Sequence, residues 1–129
     1  QPYITVLTPN SIEARKLTQL NDLQHCGEKL LDLGCMSVLI TGTHENTEQV
    51  SNSLFYQKQI KTYHYARLPH EYHGSGCTLA ASIAALLARG LELTDAILKA
   101  QDYTWQTLNT AYLTGKGQHT PERLFWTQL

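Results

Sequence analysis

Nothing in this sequence stays apolar for the ~18 residues that a membrane-spanning helix needs. Its first residues, Gln1-Pro2-Tyr3-Ile4, have neither the basic start nor the apolar core of a secretory leader. Charge of one sign is missing too. The formal net charge is −1, so the basic footprint that nucleic-acid binding leaves on a sequence is absent. Cysteine is scarce and unpatterned. Cys26, Cys35 and Cys77 are odd in number and form no C-x-x-C, which argues against a disulfide framework and for a reducing compartment, by default the cytoplasm. The 129 residues are 42% hydrophobic and 16% charged, an ordinary globular composition with room for one domain, 1–129, and not for two. The start at Gln1 rather than Met, running at once into an apolar strand, reads as a piece of something longer.

The patterning is that of alternating strands and helices. Tyr3-Ile4-Thr5-Val6-Leu7 predicts a buried strand that ends at Thr8-Pro9-Asn10. A helix is expected over 11–20 and a second from Asn21, with Gln24 in capping-box position, an apolar stripe of Leu23, Cys26, Leu30 and Leu33, and a stop at Gly34. Ser37-Val38-Leu39-Ile40-Thr41 is the clearest strand. A polar loop over 43–51 leads to a hairpin with strands near 52–57 and 60–68. An alanine-rich helix over 75–89 carries Leu79, Ile83 and Leu86 as its bulky stripe, its small residues suiting close packing on a sheet, and stops at Gly90. Thr94 is expected to cap a last helix with Ile97, Ala100, Thr104, Leu108 and Ala111 inward, ended by Gly115; Phe125 and Trp126 in the tail are expected to dock. Strands followed by helices predict an α/β sandwich with a mostly parallel sheet.

Four clusters carry candidate chemistry. Gly74-Ser75-Gly76-Cys77 lies between a strand and a helix. Glycines let backbone N–H groups converge without Cβ obstruction, and the helix N-terminus adds partial positive charge, so the turn can hold an anion. An ordinary glycine turn before a helix would look the same. Cys77 falls on the first turn of that helix, where the dipole favours a thiolate and a general-base role toward a hydroxyl; a small buried hydrophobe is the other reading. Asn10-x-x-Glu13 offers hard oxygens for Mg²⁺ and its waters, and is equally a helix capping pattern. Thr41-Gly42-Thr43-His44 ends a strand, where ligands gather in open α/β sheets; it could equally be a plain strand-to-loop turn. His70, His73 and Cys77 lack a fourth ligand nearby, and His44-Glu45 is not followed by a second His at zincin spacing, so a zinc site is not expected.

These motifs together resemble the C-terminal half of the ribokinase superfamily, and most closely its hydroxymethylpyrimidine/phosphomethylpyrimidine kinase branch in thiamine biosynthesis. The likeness rests on Thr8-Pro9-Asn10-x-x-Glu13-Ala14, on Val38 to His44, and on His73-Gly74-Ser75-Gly76-Cys77-Thr78-Leu79-Ala80. Most of that superfamily has Asp at the position of Cys77; cysteine is similar to the pyrimidine kinases and to one group of pyridoxal kinases.

The resemblance implies a ribokinase-like three-layer α/β sandwich whose first strands and most of whose pyrimidine pocket are not in this chain. It implies an anion hole of Gly74, Ser75, Gly76 and Cys77, with Cys77 as base, Thr41, Gly42 and Thr43 lining the phosphates of ATP, and Asn10 and Glu13 organising Mg²⁺. Two departures stand out: Thr41 replaces a frequent lysine, and Glu71-Tyr72 replaces Asn-Thr before His73. The expected partner is a small-molecule substrate, a pyrimidine alcohol or its phosphate, with no nucleic acid and no membrane. The chain alone is expected to be inactive, and its open sheet edge is expected to favour homo-oligomers. A cysteine-type pyridoxal kinase, a non-catalytic ribokinase-like binding module and fusion to another thiamine enzyme are the alternatives the sequence leaves open.

Overall fold

The computed structural model describes residues 6–68 and 75–113. The chain divides into two compact units, 1–67 and 68–129.

The first unit is built on β2, Ser37–Ile40, four buried residues in a row. Strand β1, Val6–Leu7, pairs with it in parallel, and β3, Gln49–Tyr56, and β4, Gln59–Ala66, continue the sheet in antiparallel fashion in the order β1-β2-β3-β4. The expected parallel pairing is therefore that of β1 with β2, while the hairpin makes the sheet mixed among the described residues. A connection of two residues, Gln57 and Lys58, closes that hairpin with φ of 47° and 64°. Both central residues at positive φ make a type I′ turn, whose twist suits a tight hairpin.

Helix α1, Ser11–Thr18, buries only Ser11, Ala14 and Thr18. These small residues share one face and let the helix lie close. The Thr18 hydroxyl donates to the Ala14 carbonyl at 2.8 Å and lies 3.2 Å from the Cys26 sulfur. Gln19 ends the helix in the left-handed region at φ 61°.

Helix α2, Leu23–Asp32, brings Cys26 and Leu30 onto Val38, Ile40, Phe55 and Ala14 to form the core. Burying side chains such as Leu30, Ile40 and Phe55 contributes about 1.5–3 kcal/mol each. Gly27 sits against the Phe55 ring so closely that a Cβ there would lie 2.5 Å from it. Asp22 caps this helix by accepting from the His25 N–H at 3.0 Å. The sequence pointed to Asn21 with Gln24; the carboxylate one residue later takes the cap, and Gln24 turns to Glu28 instead. Leu33 is the C-cap, past the turns that lie on the sheet, and is 68% exposed, so the buried stripe ends at Leu30.

In the second unit α3, Ser75–Ala88, packs against α4, Leu93–Leu113. Leu79, Ile83 and Leu86 are buried, as are Ile97, Ala100 and Thr104 of α4, while Ala80, Ala81, Ala84 and Ala88 are exposed. Thr94 does not cap α4: the Ala96 N–H donates to the Glu92 carbonyl at 2.9 Å, which puts the cap at Glu92, two residues earlier. Gly34 and Gly90, at φ 114° and 93°, end their helices as expected. Tyr3 to Thr5 of the first strand, the inward placement of Ala111, the stop at Gly115 and the tail from Gln118 lie outside the described residues. Among the described residues no helix is long and apolar enough to cross a membrane.

Candidate functional site

Two of the four sequence clusters meet in the first unit, and the sheet itself brings them together. Parallel bonding runs on beyond β1 and β2: the Thr41 N–H donates to the Pro9 carbonyl at 3.1 Å, and the Ser11 N–H to the Thr41 carbonyl at 2.9 Å. Asn10 and Thr41 thus face each other across a parallel bridge. The start of α1 and the end of β2 form one edge at the C-terminal end of a parallel pair, where open α/β sheets bind ligands.

Asn10 and Glu13 form a full capping box. The Asn10 Oδ1 accepts from the Glu13 N–H at 2.8 Å, and the Glu13 Oε1 accepts from the Asn10 N–H at 2.9 Å. Among the described residues, the Glu13 Oε2 has no hydrogen-bond partner. The residues suit a cation reached through water, since Mg²⁺ keeps most of its waters and takes few protein oxygens. No cluster of three or more His, Cys, Asp or Glu among the described residues makes a closed cage.

Thr41, Gly42 and Thr43 follow. The Gly42 N–H is taken by the Asn52 side chain at 3.1 Å, and the Thr41 N–H by Pro9. Among the described residues, the Thr43 amide and the hydroxyls of Thr41 and Thr43 remain as donors that an anion could use. Gly42 also has a steric reason to be glycine: a Cβ would lie 2.3 Å from the Ser51 carbonyl oxygen on β3.

The loop that follows is held by two arginines. Arg15 on α1 forks onto the Glu45 carboxylate at 2.8 and 2.7 Å. This bond, with the Ser11 hydroxyl adding a smaller contribution, holds the Glu45 carboxyl at about 2, from 4.5. The Ser11 hydroxyl makes no well-formed hydrogen bond yet lies near enough to favour the carboxylate. Arg67 reaches the Thr43, Glu45 and Thr47 carbonyls at 2.6, 2.8 and 3.0 Å. Sequence reasoning missed Arg15, Glu45, Asn52 and Arg67. Their partners lie far along the chain, so no local spacing marks them.

The glycine turn is in the second unit. Gly74 lies outside the described residues, together with His73. Ser75 is the first residue of α3, and Gly76 and Cys77 follow on its first turn, both exposed. Among the described residues, an added Cβ at Gly76 would meet nothing within 4 Å. Exposed Cys77 is not the small buried hydrophobe that was the other reading of it; Cys26 is.

The chain is similar to known proteins both in sequence and in fold. Residues 1–122 match the family model for phosphomethylpyrimidine kinase. The hydroxymethylpyrimidine/phosphomethylpyrimidine kinase of Synechococcus elongatus is 38% identical over 126 residues, covering 91% of this chain and 47% of that protein. The enzyme of that name from Mycobacterium tuberculosis is 36% identical over 132 residues, covering 96% and 48%. The chain therefore spans about half the length of the curated relatives it matches. Among solved structures, a Bacillus subtilis pyridoxal kinase in an ADP complex superposes with a TM-score of 0.72 at 31% identity, over 77% of this chain and 40% of that one. A Staphylococcus aureus pyridoxal kinase in complex with AMP-PCP and pyridoxal gives 0.77 at 26%, over 82% and 42%. The fold is ribokinase-like α/β.

Proposed function

This chain belongs to the phosphomethylpyrimidine kinase family, and on that footing we propose that it is the nucleotide-handling half of a cytoplasmic enzyme that uses ATP to phosphorylate hydroxymethylpyrimidine and then its monophosphate, in thiamine biosynthesis. The observation that carries this reading is the Asn10–Thr41 bridge, which sets the Asn-x-x-Glu box beside the Thr-Gly-Thr strand end.

The amide of Thr43 and the hydroxyls of Thr41 and Thr43 meet phosphate oxygens of ATP. Asn10 and Glu13 would hold Mg²⁺ through its waters; when bound, the ion neutralises charge on the phosphates. Gly74, Ser75, Gly76 and Cys77 accommodate the transferred phosphoryl group, whose charge the backbone N–H groups and helix dipole stabilise. Cys77 takes the proton of the substrate hydroxyl. A phosphate monoester has its second pKa near ~6 and is already largely ionised at neutral pH, so only the first phosphorylation needs a base.

The chain by itself does not turn over substrate, because most of the acceptor pocket lies in the half of its relatives that it does not match. Among the described residues β1 pairs on one side only, with β2. Self-association of the chain through that edge is part of this proposal.

A second reading has specific support. The structural neighbours from Bacillus subtilis and Staphylococcus aureus are pyridoxal kinases, and pyridoxal also offers a hydroxymethyl acceptor on a heteroaromatic ring.

Cys77→Ala in the full-length protein tests the site. Removing a general base should slow transfer to the hydroxymethyl substrate by about 100-fold or more and transfer to the monophosphate far less. Equal loss in both steps would contradict the base role. Turnover by this chain alone would contradict the division of labour.

A further inference from the structure

Arg67 follows directly on β4, and all three of its guanidinium nitrogens point into one loop. Nη1 donates to the Thr43 carbonyl at 2.6 Å, Nη2 to the Glu45 carbonyl at 2.8 Å and the Thr47 hydroxyl at 3.1 Å, and Nε to the Thr47 carbonyl at 3.0 Å. Three alternate carbonyls of one short segment thus face a single cation. Carbonyl dipoles turned inward repel one another unless a donor or cation sits between them.

The Thr47 hydroxyl also donates to the Gln49 carbonyl at 2.6 Å, at the end of the segment. The segment's own backbone bonds are Glu45 N–H to the Gly42 carbonyl at 3.1 Å and Thr47 N–H to the Glu45 carbonyl at 3.1 Å. The Arg15–Glu45 fork adds one side-chain anchor. We propose that Arg67 is a positioning residue for nucleotide binding: its guanidinium is the internal cation around which residues 43–47 fold, and this fixes Thr43 for the phosphates of ATP.

Thr43 is held on both sides. The Gly42 carbonyl, in the peptide before it, accepts from Glu45, and its own carbonyl accepts from Arg67. Its amide and hydroxyl are then aimed before any nucleotide arrives, so binding does not have to order them. Arg67 itself does not grip phosphate, because four of its five N–H groups are spent on the loop. A lysine could not replace it, since one ammonium cannot span three carbonyls in a fixed fork.

This inference rests on the nucleotide reading above, and the test separates the two. Arg67→Ala and the milder Arg67→Lys are made in the full-length protein. Amide hydrogen exchange at Glu45 and Thr47 is measured without nucleotide, and affinity for a non-hydrolysable ATP analogue is measured with and without methylguanidinium. Both variants are expected to exchange faster at these amides and to bind the analogue about tenfold more weakly or worse. The KM for ATP should rise while kcat changes little, and methylguanidinium should restore the alanine variant but not the lysine one.

Unchanged exchange in both variants overturns the proposal. So does faster exchange with undiminished affinity, or weakened affinity of the alanine variant that methylguanidinium leaves unrestored while the overall fold is intact. If the unmodified protein binds no nucleotide, the parent reading fails and takes this one with it, and the exchange data then report only a structural clamp.

Discussion

Arg15 and Glu45 form a two-pronged ion pair, 2.8 and 2.7 Å, that ties the first helix to the loop after β2. The arginine holds the Glu45 carboxyl at about 2, well below 4.5, and the carboxylate in turn raises Arg15. A carboxyl whose folded pKa is depressed stabilises the fold above its unfolded pKa, and that contribution is lost as pH falls toward the folded value. Glu45→Gln should therefore cost about 1–2 kcal/mol at neutral pH once screening by solvent is allowed for, and almost nothing near pH ~2. Urea unfolding of both proteins across this range checks it; a gap that does not close on acidification would contradict the assignment.

Gly42 and Gly76 are both expected to matter, for opposite reasons. A methyl at Gly42 would press within 2.3 Å of the Ser51 carbonyl oxygen, a backbone atom that cannot rotate away. Gly42→Ala should destabilise by about 1–3 kcal/mol. A methyl at Gly76 meets nothing, and removing glycine from a helix is neutral or gains up to about 1 kcal/mol. Its effect should appear in function, as slower phosphoryl transfer by the full-length protein, because in the proposed anion hole the methyl would occupy the space of the phosphoryl group. Thermal melts and steady-state rates of the two variants, taken together, check this split.

The hairpin turn carries correctable strain. Gln57 and Lys58 both sit at positive φ, 47° and 64°, a region that costs an ordinary side chain about 1–2 kcal/mol. Lys58→Gly should raise stability by about 1 kcal/mol, less the entropy that glycine adds to the unfolded chain. Equilibrium unfolding that shows a loss instead would mean that the Lys58 side chain does more than close the turn.

Much of this was legible in the sequence because the signals were local. The β2 run Val38-Leu39-Ile40, the Asn10–Glu13 box and the stops at Gly34 and Gly90 depend on neighbours within a few residues, and they stand where the pattern put them. The capping and cation readings of Asn10-x-x-Glu13 could not be separated by spacing, and the structure shows that the cap uses one carboxylate oxygen and leaves the other. The loop over 43–47 was not legible. Its shape comes from Arg15 and Arg67, which arrive from other elements, and no spacing announces them. The hydrogen bond from Gly42 to Asn52 was hidden in the same way.

This chain is proposed to serve a pyrimidine kinase, whereas the Bacillus subtilis and Staphylococcus aureus structures that it resembles are pyridoxal kinases. Phosphoryl transfer from ATP to hydroxymethylpyrimidine and to pyridoxal, measured side by side with the full-length protein, decides it. The predicted result is a kcat/KM for the pyrimidine at least about tenfold above that for pyridoxal, with a product that goes on to accept a second phosphoryl group. Preference for pyridoxal, or a pyrimidine product that stops at one phosphate, would contradict the account.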